Sequence, residues 1–194
     1  MTPNPIDLFG YPALSGLDLC LDHVRPEAET GLSNGIDRLD LTPFRFQQWT
    51  GKRLTTSFGW RYDFETGGFD RADPVPGWLL PVRDSAARFA GLPADALEQV
   101  LLTRYDPGAG IGWHRDRPVF EHVVGISLGA EATLRFRRRR PAGGFDRHSI
   151  DLPARSAYHL SGEARWDWEH SIAPMAATRW SITFRSLRAA VRAG

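Results

Sequence analysis

The hydrophobic positions along the chain follow two different spacings, and the clearer one predicts a single helix. Between about Pro76 and Ala90 the large apolar residues recur three and four positions apart, which places them on one stripe of a helix. Gly91 follows at the position where a glycine commonly ends a helix. The residues of this stripe are Trp78, Leu79, Val82, Ala86, Phe89 and Ala90.

Short runs of β-branched and aromatic residues predict strands over most of the remaining chain. Gly51 and Gly59 interrupt the earliest of these runs. No gap between the later strands carries a helical pattern, which argues against a doubly wound parallel sheet and predicts a sandwich or jelly roll with a helix packed outside. The predicted strands are Phe44–Trp49, Leu54–Phe64, Gln99–Tyr105, His122–Leu128, Ala132–Arg137, His148–Leu152, Ala157–Leu160 and Trp180–Leu187. The weakly patterned residues 1–40 contain turn signals, at Pro26, Gly31 and Asn34-Gly35.

The composition is that of one globular domain in a reducing compartment. The chain has 194 residues, of which 42% are hydrophobic and 24% charged. We expect no membrane span and no signal peptide, because no long apolar run is present and the first residues lack basic and apolar regions. The single cysteine, Cys20, excludes an internal disulfide and a cysteine-based zinc site. These features predict a cytoplasmic protein, which we expect to be a monomer.

Charge is distributed unevenly although the net charge is only +1. Residues 1–97 contain 9 Lys and Arg against 13 Asp and Glu, whereas residues 98–194 contain 15 against 10. The densest basic cluster lies in one predicted hairpin, where such a cluster either contacts phosphate groups or forms a solvated face. It comprises Arg135, Arg137, Arg138, Arg139 and Arg140.

A His-x-Asp pair follows the glycine-rich loop YDPGAGIGW and indicates a metal site. In an extended segment, His114 and Asp116 point to the same side, so both can bind one metal ion. Two histidines and one carboxylate are the ligand set of non-haem Fe(II) oxygenases, which leaves open positions on the metal. The candidates for the third ligand are His122, His148, His159 and His170.

Two arginines on the predicted last strand indicate a site for a small dicarboxylate. In TRWSITFR, Arg179 and Arg185 alternate with apolar residues and therefore share one face with Ser181 and Thr183. The planar guanidinium group binds carboxylates through two parallel hydrogen bonds. The alternative is a strand whose polar face is exposed to solvent.

A third segment, GEARWDWEHSI, offers a histidine among tryptophans. Trp166, Trp168 and His170 have the same parity, so an extended chain would place them on one face. His170 could then be the third ligand beside an apolar wall that limits access of solvent. The alternative is a pair of core tryptophans with a surface histidine.

Taken in order, the segments LLTRYDPGAGIGWHRD, GISLGAEATLRF, GEARWDWEH and RWSITFR resemble the AlkB family of Fe(II)/2-oxoglutarate dioxygenases. The resemblance covers about residues 96–188 and extends faintly upstream through GKRLTTSFGWRYDF. It implies a mainly β fold with flanking helices, with a double-stranded β-helix (jelly roll) core at residues 96–194. Residues 1–95 would form an N-terminal α/β nucleotide-recognition extension and substrate lid of the same single domain, 1–194.

The resemblance also implies the roles of individual residues. Arg179 matches the arginine that binds the distal carboxylate of 2-oxoglutarate, and Arg185 matches a second arginine near the metal. Tyr105 matches a tyrosine that contacts the cosubstrate. The residues that match the iron ligands are His114, Asp116 and His170.

This sequence departs from the family pattern at three positions. Thr103 and Ser181 stand where asparagines contact the cosubstrate in other members, so either a hydroxyl replaces the amide or that interaction is missing. Pro118 stands where the best-known member has an aspartate that helps to recognise the damaged base. Iron and cosubstrate binding are therefore expected, whereas these changes put base recognition in doubt.

The implied function is oxidative demethylation of N-alkylated bases in DNA or RNA, with release of formaldehyde, succinate and CO2. The cofactors would be Fe(II), 2-oxoglutarate and O2, and the substrate strand would be single-stranded or present a flipped base. The alternative is the same iron chemistry on a tRNA modification, a protein side chain or a small molecule. A nucleic-acid-binding module without turnover is disfavoured by the intact ligand set.

Cations and aromatic residues of the lid segment, together with the neighbours of the first ligand, are the candidates for substrate binding. Such residues suit base stacking and phosphate contacts, although strand alternation would equally place the aromatic ones in the core. Arg165 either touches a phosphate or pairs with an acid such as Glu163. The candidates are Lys52, Arg53, Phe58, Trp60, Tyr62, Trp113 and Arg115, with Arg61 beside them.

Overall fold

The computed structural model describes residues 14–46, 49–62 and 67–192, and antiparallel strands dominate it. The strands are β1 Leu17–Cys20, β2 Thr42–Phe46, β3 Trp49–Phe58, β4 Trp60–Tyr62, β5 Phe69–Arg71, β6 Leu97–Tyr105, β7 Ile111–His114, β8 Phe120–Gly129, β9 Ala132–Arg139, β10 Phe145–Leu152, β11 Ala157–Leu160, β12 Glu169–Ile172 and β13 Arg179–Leu187. The helices are α1 Pro26–Asp37, α2 Leu80–Phe89, α3 Gly162–Trp166 and α4 Ala189–Arg192, with 3-10 turns at Gly77–Leu79 and Ala94–Ala96.

Two sheets face each other and form the jelly roll that the sequence predicts. The major sheet has seven strands in the order β1-β11-β8-β13-β6-β3-β2, and the minor sheet has four in the order β10-β9-β12-β7. A separate two-stranded ribbon pairs β4 with β5. Strand β13 lies at the centre of the major sheet, where it pairs antiparallel with β6 on one side and β8 on the other.

Strand alternation divides the hydrophobic core into two clusters. On one face of the major sheet, Ile182 and Phe184 of β13 pack with residues of α1 and α2, including Ile36 and Ala86. The opposite face of that sheet meets the minor sheet, where residues such as Phe136 form the second cluster. Burial of these apolar surfaces is the main force that holds helices and sheets together.

The weakly patterned residues 1–40, where the sequence showed turn signals, include a helix. Pro26 occupies the first turn of α1, where a missing backbone N–H costs nothing. Leu32 and Ile36, four residues apart, bury one face of the helix in the core. Gly35 faces Trp78 so closely that an added Cβ would lie 3.1 Å from the indole ring. Packing against this neighbouring segment therefore overrides the turn preference of the glycines and asparagine.

Other elements differ from the sequence prediction in extent. The 3-10 turn at Gly77–Leu79 replaces the first turn of the predicted helix. Gly51 lies inside β3, so it does not interrupt that strand. Gly59 does end it, because its φ is +79° and a Cβ there would lie 2.0 Å from the carbonyl oxygen of Glu98. The predicted strands Phe44–Trp49 and Leu54–Phe64 extend in part outside the described residues.

Besides α1, the elements of the described chain that were not predicted as such are β1, β5, β7, β12, α3 and α4. Helix α3 lies in the gap between β11 and β12 that was expected to lack a helix. It includes Trp166, so Trp166 does not share a strand face with His170, contrary to the prediction from parity. No helix among the described residues is both long and apolar enough to cross a bilayer.

Candidate active site

Two side chains of the minor sheet and one from the segment just after β7 converge on one point between the sheets. His114 is the last residue of β7, Asp116 follows two residues later, and His170 lies on β12 directly opposite His114. One potential ligand atom from each residue lies within 4.8 Å of the other two. Two imidazoles and a carboxylate at this separation can bind a single metal ion and leave further positions open.

Hydrogen bonds orient the ligand side chains. The Nδ1 atom of His114 donates to the carbonyl oxygen of Gly112 at 2.9 Å, because a carbonyl can only accept, and this leaves Nε2 free for a metal. Arg185 donates from Nε to Oδ1 of Asp116 at 2.8 Å, and its Nη2 forms an ion pair with the same oxygen at 2.8 Å. The other carboxylate oxygen, Oδ2, lies 3.5 Å from His170 Nε2.

The protonation states of these groups suit a bound cation. Burial alone would raise the pKa of Asp116, but the Arg185 guanidinium and the nearby histidines hold it well below its usual range. Burial, followed by the neighbouring His114, lowers the pKa of His170 to about 3. Burial also lowers the pKa of His114. At neutral pH the site therefore presents two neutral imidazoles and one carboxylate.

Arg179 offers a second binding element deeper in the site. Its side chain is only 1% exposed, and its Nε donates to Ser127 Oγ at 2.9 Å. Its two terminal nitrogens are buried and have no hydrogen-bond partner among the described residues. Burying guanidinium N–H groups without acceptors costs free energy unless a ligand accepts their hydrogen bonds. A carboxylate can accept two parallel hydrogen bonds from one guanidinium group. The residues present therefore fit the distal carboxylate of 2-oxoglutarate.

The remaining predicted cosubstrate residues surround Arg179. Tyr105 is buried, and its ring centre lies 5.2 Å from the Arg179 guanidinium carbon. Thr103 and Ser181 pair directly across β6 and β13, and both are buried at the cavity wall. The buried polar face of β13 excludes the alternative of a solvent-exposed strand face. Arg185 differs from Arg179, because Asp116 and Gln99 already occupy its donors.

These residues line one cavity of about 780 Å³ between the sheets. Its wall includes side chains that local sequence patterns did not assign to the site, among them Gln99, Tyr158 and Arg117. Burial raises the pKa of Tyr158 to about 12, so its phenol stays protonated. Tyr158 lies across Gly125, where a Cβ would approach the ring to 2.2 Å. Pairing of Tyr158 with Gly125 in β11 and β8 is a long-range contact, which explains why no local signal reveals it.

Some of the predicted substrate residues line the cavity, and others lie outside it. Alternation along β3 directs Arg53 to the cavity and Phe58 to the core beside the helices, so Phe58 does not line the site. Lys52 is exposed outside the cavity wall, and Trp60 stacks on Phe69 with ring centres 4.9 Å apart. These three residues do not line the cavity, and their predicted substrate roles stay predictions. The predicted residues that do line the cavity are Arg53, Tyr62, Trp113 and Arg115.

Arg53 is a buried arginine at the cavity wall. Its side chain is 6% exposed and lies 3.8 Å above the ring of Phe44. No carboxylate within the described part of the chain forms an ion pair with it. Burial lowers the pKa of Arg53, yet an arginine remains protonated at neutral pH. A positive charge without a carboxylate partner among the described residues therefore faces the cavity.

The other candidate residues serve structural contacts. Arg165 is buried and donates to the carbonyl oxygens of Arg117 and Phe120 at 2.7 and 2.8 Å, so it does not pair with Glu163 as one alternative proposed. Glu163 instead pairs with Arg138. His122 and His159 bond to each other at 3.0 Å away from the metal ligands. His170, not these histidines, completes the cluster.

Comparisons with known proteins agree with this geometry. Residues 47–188 match the family model described as 2OG-Fe(II) oxygenase superfamily. The tRNA (carboxymethyluridine(34)-5-O)-methyltransferase alkbh8 of Xenopus tropicalis is 32% identical over 82% of this chain. The alkylated DNA repair protein ALKBH8 homolog of Arabidopsis thaliana is 26% identical over 82% of this chain. The chain spans about a quarter of the length of the first relative and about half of the second.

The fold also matches solved structures of low sequence identity. The structure of OsALKBH1 superposes with a TM-score of 0.69 at 14% identity, and the match covers 88% of this chain and 96% of that one. A Pseudomonas putida prolyl-4-hydroxylase gives a TM-score of 0.58 at 16% identity, with 89% and 93% coverage. These two likenesses concern the fold alone.

Proposed function

The chain belongs to the 2OG-Fe(II) oxygenase superfamily, within its AlkB family, and from this premise we propose that it oxidises an alkyl substituent on a neutral or anionic base of RNA. As a member of that superfamily it is a dioxygenase that uses Fe(II), 2-oxoglutarate and O2. We propose a modified uridine of tRNA as the first substrate to test. The charge of the cavity wall carries this choice.

The residues that would hold iron and cosubstrate are those whose donors face the cavity. His114, Asp116 and His170 would bind the iron, and Arg179 would bind the distal carboxylate of 2-oxoglutarate. With both bound, one atom of O2 enters a substrate C–H bond and the other enters succinate, while CO2 leaves. Arg185 holds Asp116 in place throughout, and the surrounding aromatic wall limits water near the reacting carbon.

The cavity wall is strongly positive. Among the described residues that line it, six are arginines and one, Asp116, is a carboxylate. Fe(II) and 2-oxoglutarate carry opposite charges of equal size, so their binding leaves this excess unchanged. The arginines are Arg53, Arg115, Arg117, Arg165, Arg179 and Arg185.

This charge discriminates between classes of base. 1-Methyladenine and 3-methylcytosine are cations at neutral pH, because alkylation places a third substituent on a ring nitrogen. A like charge in a cavity of low dielectric constant is strongly unfavourable. Pro118 lies at the cavity wall, at a position where an aspartate would have offset part of the positive charge of the wall. Uracil, by contrast, offers two carbonyl acceptors to Arg53, and a carboxymethyl substituent adds a negative charge.

The names of the relatives point in the same direction. The Xenopus tropicalis relative is named for a carboxymethyluridine at position 34 of tRNA. Because this chain covers only a quarter of that protein, its whole activity does not transfer to this chain. The name supports RNA and a uridine as the place to begin.

A second candidate is oxidative demethylation of N-alkylated bases in DNA or RNA, as the family resemblance first implied. The Arabidopsis thaliana relative, which is named as an alkylated DNA repair protein, favours it. In both candidates we propose that residues 1–95 supply the lid, with Arg53 of β3 and Tyr62 of β4 at the cavity wall.

The test compares the two base classes on one enzyme preparation. The protein is incubated with Fe(II), ascorbate and 2-oxoglutarate. One set of RNA substrates is an anticodon stem-loop carrying 5-carboxymethyluridine at position 34. The other set is DNA and RNA oligonucleotides carrying 1-methyladenine or 3-methylcytosine. Mass spectrometry follows the gain of an oxygen or the loss of a methylene, and the His114→Ala variant is the control.

We expect oxidation of the uridine with a kcat/KM at least tenfold above that of either cationic base, and no product from the control variant. The reverse order would overturn the proposal and support the repair candidate. Succinate formation while every oligonucleotide stays unchanged would contradict both candidates and point to a protein or small-molecule substrate.

A further inference from the structure

Strand alternation divides the basic cluster of β9 into two groups. Arg138 and Arg140 point to one side, where Asp146 pairs with both and Glu163 pairs with Arg138. The odd-numbered arginines of β9 point to the other side, which is the outer face of the minor sheet. Register places Arg147 of β10 directly opposite Arg137 on that same face. The row of Arg135, Arg137, Arg139 and Arg147 is called the outer arginine row.

Aromatic rings on the same face hold the guanidinium groups of the row. The guanidinium carbons of Arg135 and Arg137 lie 5.3 and 4.6 Å from the ring centre of Trp113. The guanidinium carbons of Arg137 and Arg147 lie 4.7 and 5.8 Å from the ring centre of Phe145. Cation–π contacts of this kind fix long side chains in advance, which reduces the entropy lost when they bind a ligand.

The acids on this face do not neutralise the row. Within the described part of the minor sheet, the outward acidic residues are Glu169, which pairs with Arg137 at 2.6 Å, and Asp151, which bonds to Thr133. Arg139 and Arg147 are exposed, and no carboxylate of the described chain forms an ion pair with either. The face therefore presents four guanidinium groups against two carboxylates.

The outer arginine row adjoins the cavity wall at Trp113. Trp113 lines the cavity and also lies beneath Arg135 and Arg137. Trp113 directly precedes the metal-ligand candidate His114. A strand whose base enters the cavity can therefore continue across the outer face of the minor sheet without leaving the protein.

We propose that the outer arginine row binds the phosphodiester backbone of the nucleic-acid strand that supplies the substrate base. This inference rests on the proposed function for the presence of a nucleic acid. Same-face residues two apart on β9 are spaced by about 7 Å, which is comparable with successive phosphates of an extended single strand. The guanidinium groups already cover Trp113 and Phe145, so the row makes phosphate contacts without base stacking and binds without sequence preference.

The test measures binding of a fluorescent single-stranded RNA of about 20 uridines by anisotropy over a range of salt concentrations. The test variant is Arg139→Glu with Arg147→Glu. The matched control is Arg25→Glu with Arg38→Glu, which makes the same charge change on exposed residues at the two ends of α1, on the far side of the major sheet. A milder variant, Arg139→Gln with Arg147→Gln, and thermal melting of all three exclude misfolding as the cause.

We expect the dissociation constant of the Arg→Glu row variant to rise about tenfold and that of the control to change less than twofold. The slope of log K against log salt should fall by about 0.7 for each phosphate that the variant no longer binds. Unchanged affinity and slope in both row variants, with a binding wild type, would overturn this inference and leave the proposed function intact. Equal loss of affinity in the control would also overturn it. A wild type that binds no RNA would overturn the inference together with its nucleic-acid premise.

Discussion

The arginines of β13 and those of β9 follow the same alternation along their strands and reach opposite environments. Arg179 and Arg185 lie on the inward face of the central strand of the major sheet, where both are at most 9% exposed. Arg139 of β9 and Arg147 of β10 lie on the outward face of the minor sheet and are exposed. Alternation therefore decides which arginines lie together on one face. The position of that face, buried between the sheets or exposed to solvent, decides what kind of anion the arginines can bind.

A buried arginine can select one small ligand, whereas an exposed row can only recognise a charged surface. Arg179 keeps two unpaired donors in the protein interior, so a single carboxylate gains two strong hydrogen bonds. The exposed arginines compete with water and salt ions for every contact. Four substitutions test this contrast, in order of decreasing effect.

The largest effect is expected for Arg179→Gln. Removal of the buried guanidinium group eliminates two charge-assisted hydrogen bonds to the cosubstrate, each worth about 1.5–3 kcal/mol. The KM for 2-oxoglutarate should therefore rise about 100-fold or more. The KM is obtained from the rate of succinate formation as a function of 2-oxoglutarate concentration. The matched variant Arg137→Gln, on β9, should leave this KM unchanged, and a similar rise in both would refute the contrast.

Arg185→Gln should weaken the metal site and not the cosubstrate site. Arg185 holds Oδ1 of Asp116 through one hydrogen bond and an ion pair, and loss of such a partner typically costs about 10–100-fold in metal affinity. Titration with Fe(II) under anaerobic conditions measures this affinity. An unchanged metal affinity combined with a raised KM for 2-oxoglutarate would show that Arg185 acts on the cosubstrate instead.

Arg53→Gln should change the choice of base. Loss of the unpaired cavity charge should lower kcat/KM for 5-carboxymethyluridine RNA about tenfold and should leave or raise kcat/KM for RNA with 1-methyladenine. Arg53→Lys, which keeps the charge, should recover part of the loss. Competition between the two RNAs in one reaction provides the measurement, and a uniform loss on both would contradict a role in discrimination.

The smallest effect is expected for Arg138→Gln, on the paired side of β9. This arginine is partly exposed and bonded to Asp146 and Glu163, and such pairs contribute about 0–1 kcal/mol to the free energy of unfolding. Urea denaturation should show a change within that range, and RNA affinity should stay within twofold of wild type. A tenfold loss of affinity would show that both sides of β9 contact the strand.

Local sequence patterns predicted the mainly β fold, most strands of the core and the convergence of His114 with Asp116, whereas the choice of His170 among four histidines came from the family resemblance. They succeeded because alternation in a strand and the short His-x-Asp spacing are local properties of the chain. They failed for α1, whose glycines and asparagine indicate turns until packing against Trp78 is known. They left the surroundings of Phe58 and Trp60 open, because alternation names two faces without stating which one meets the cavity.

The amino-acid sequence by itself determined the spacing of the ligands, the parity of the arginines on β9 and β13, and the family resemblance. Only the tertiary structure decided that the buried Arg179 and the cavity residue Arg53 lack an acidic partner among the described residues, and that the arginines of β9 divide into a paired and an outer group. The physical reason is that burial and charge compensation depend on residues distant in sequence. Asp146 and Glu163 neutralise one side of β9 only because β10 and α3 fold against it.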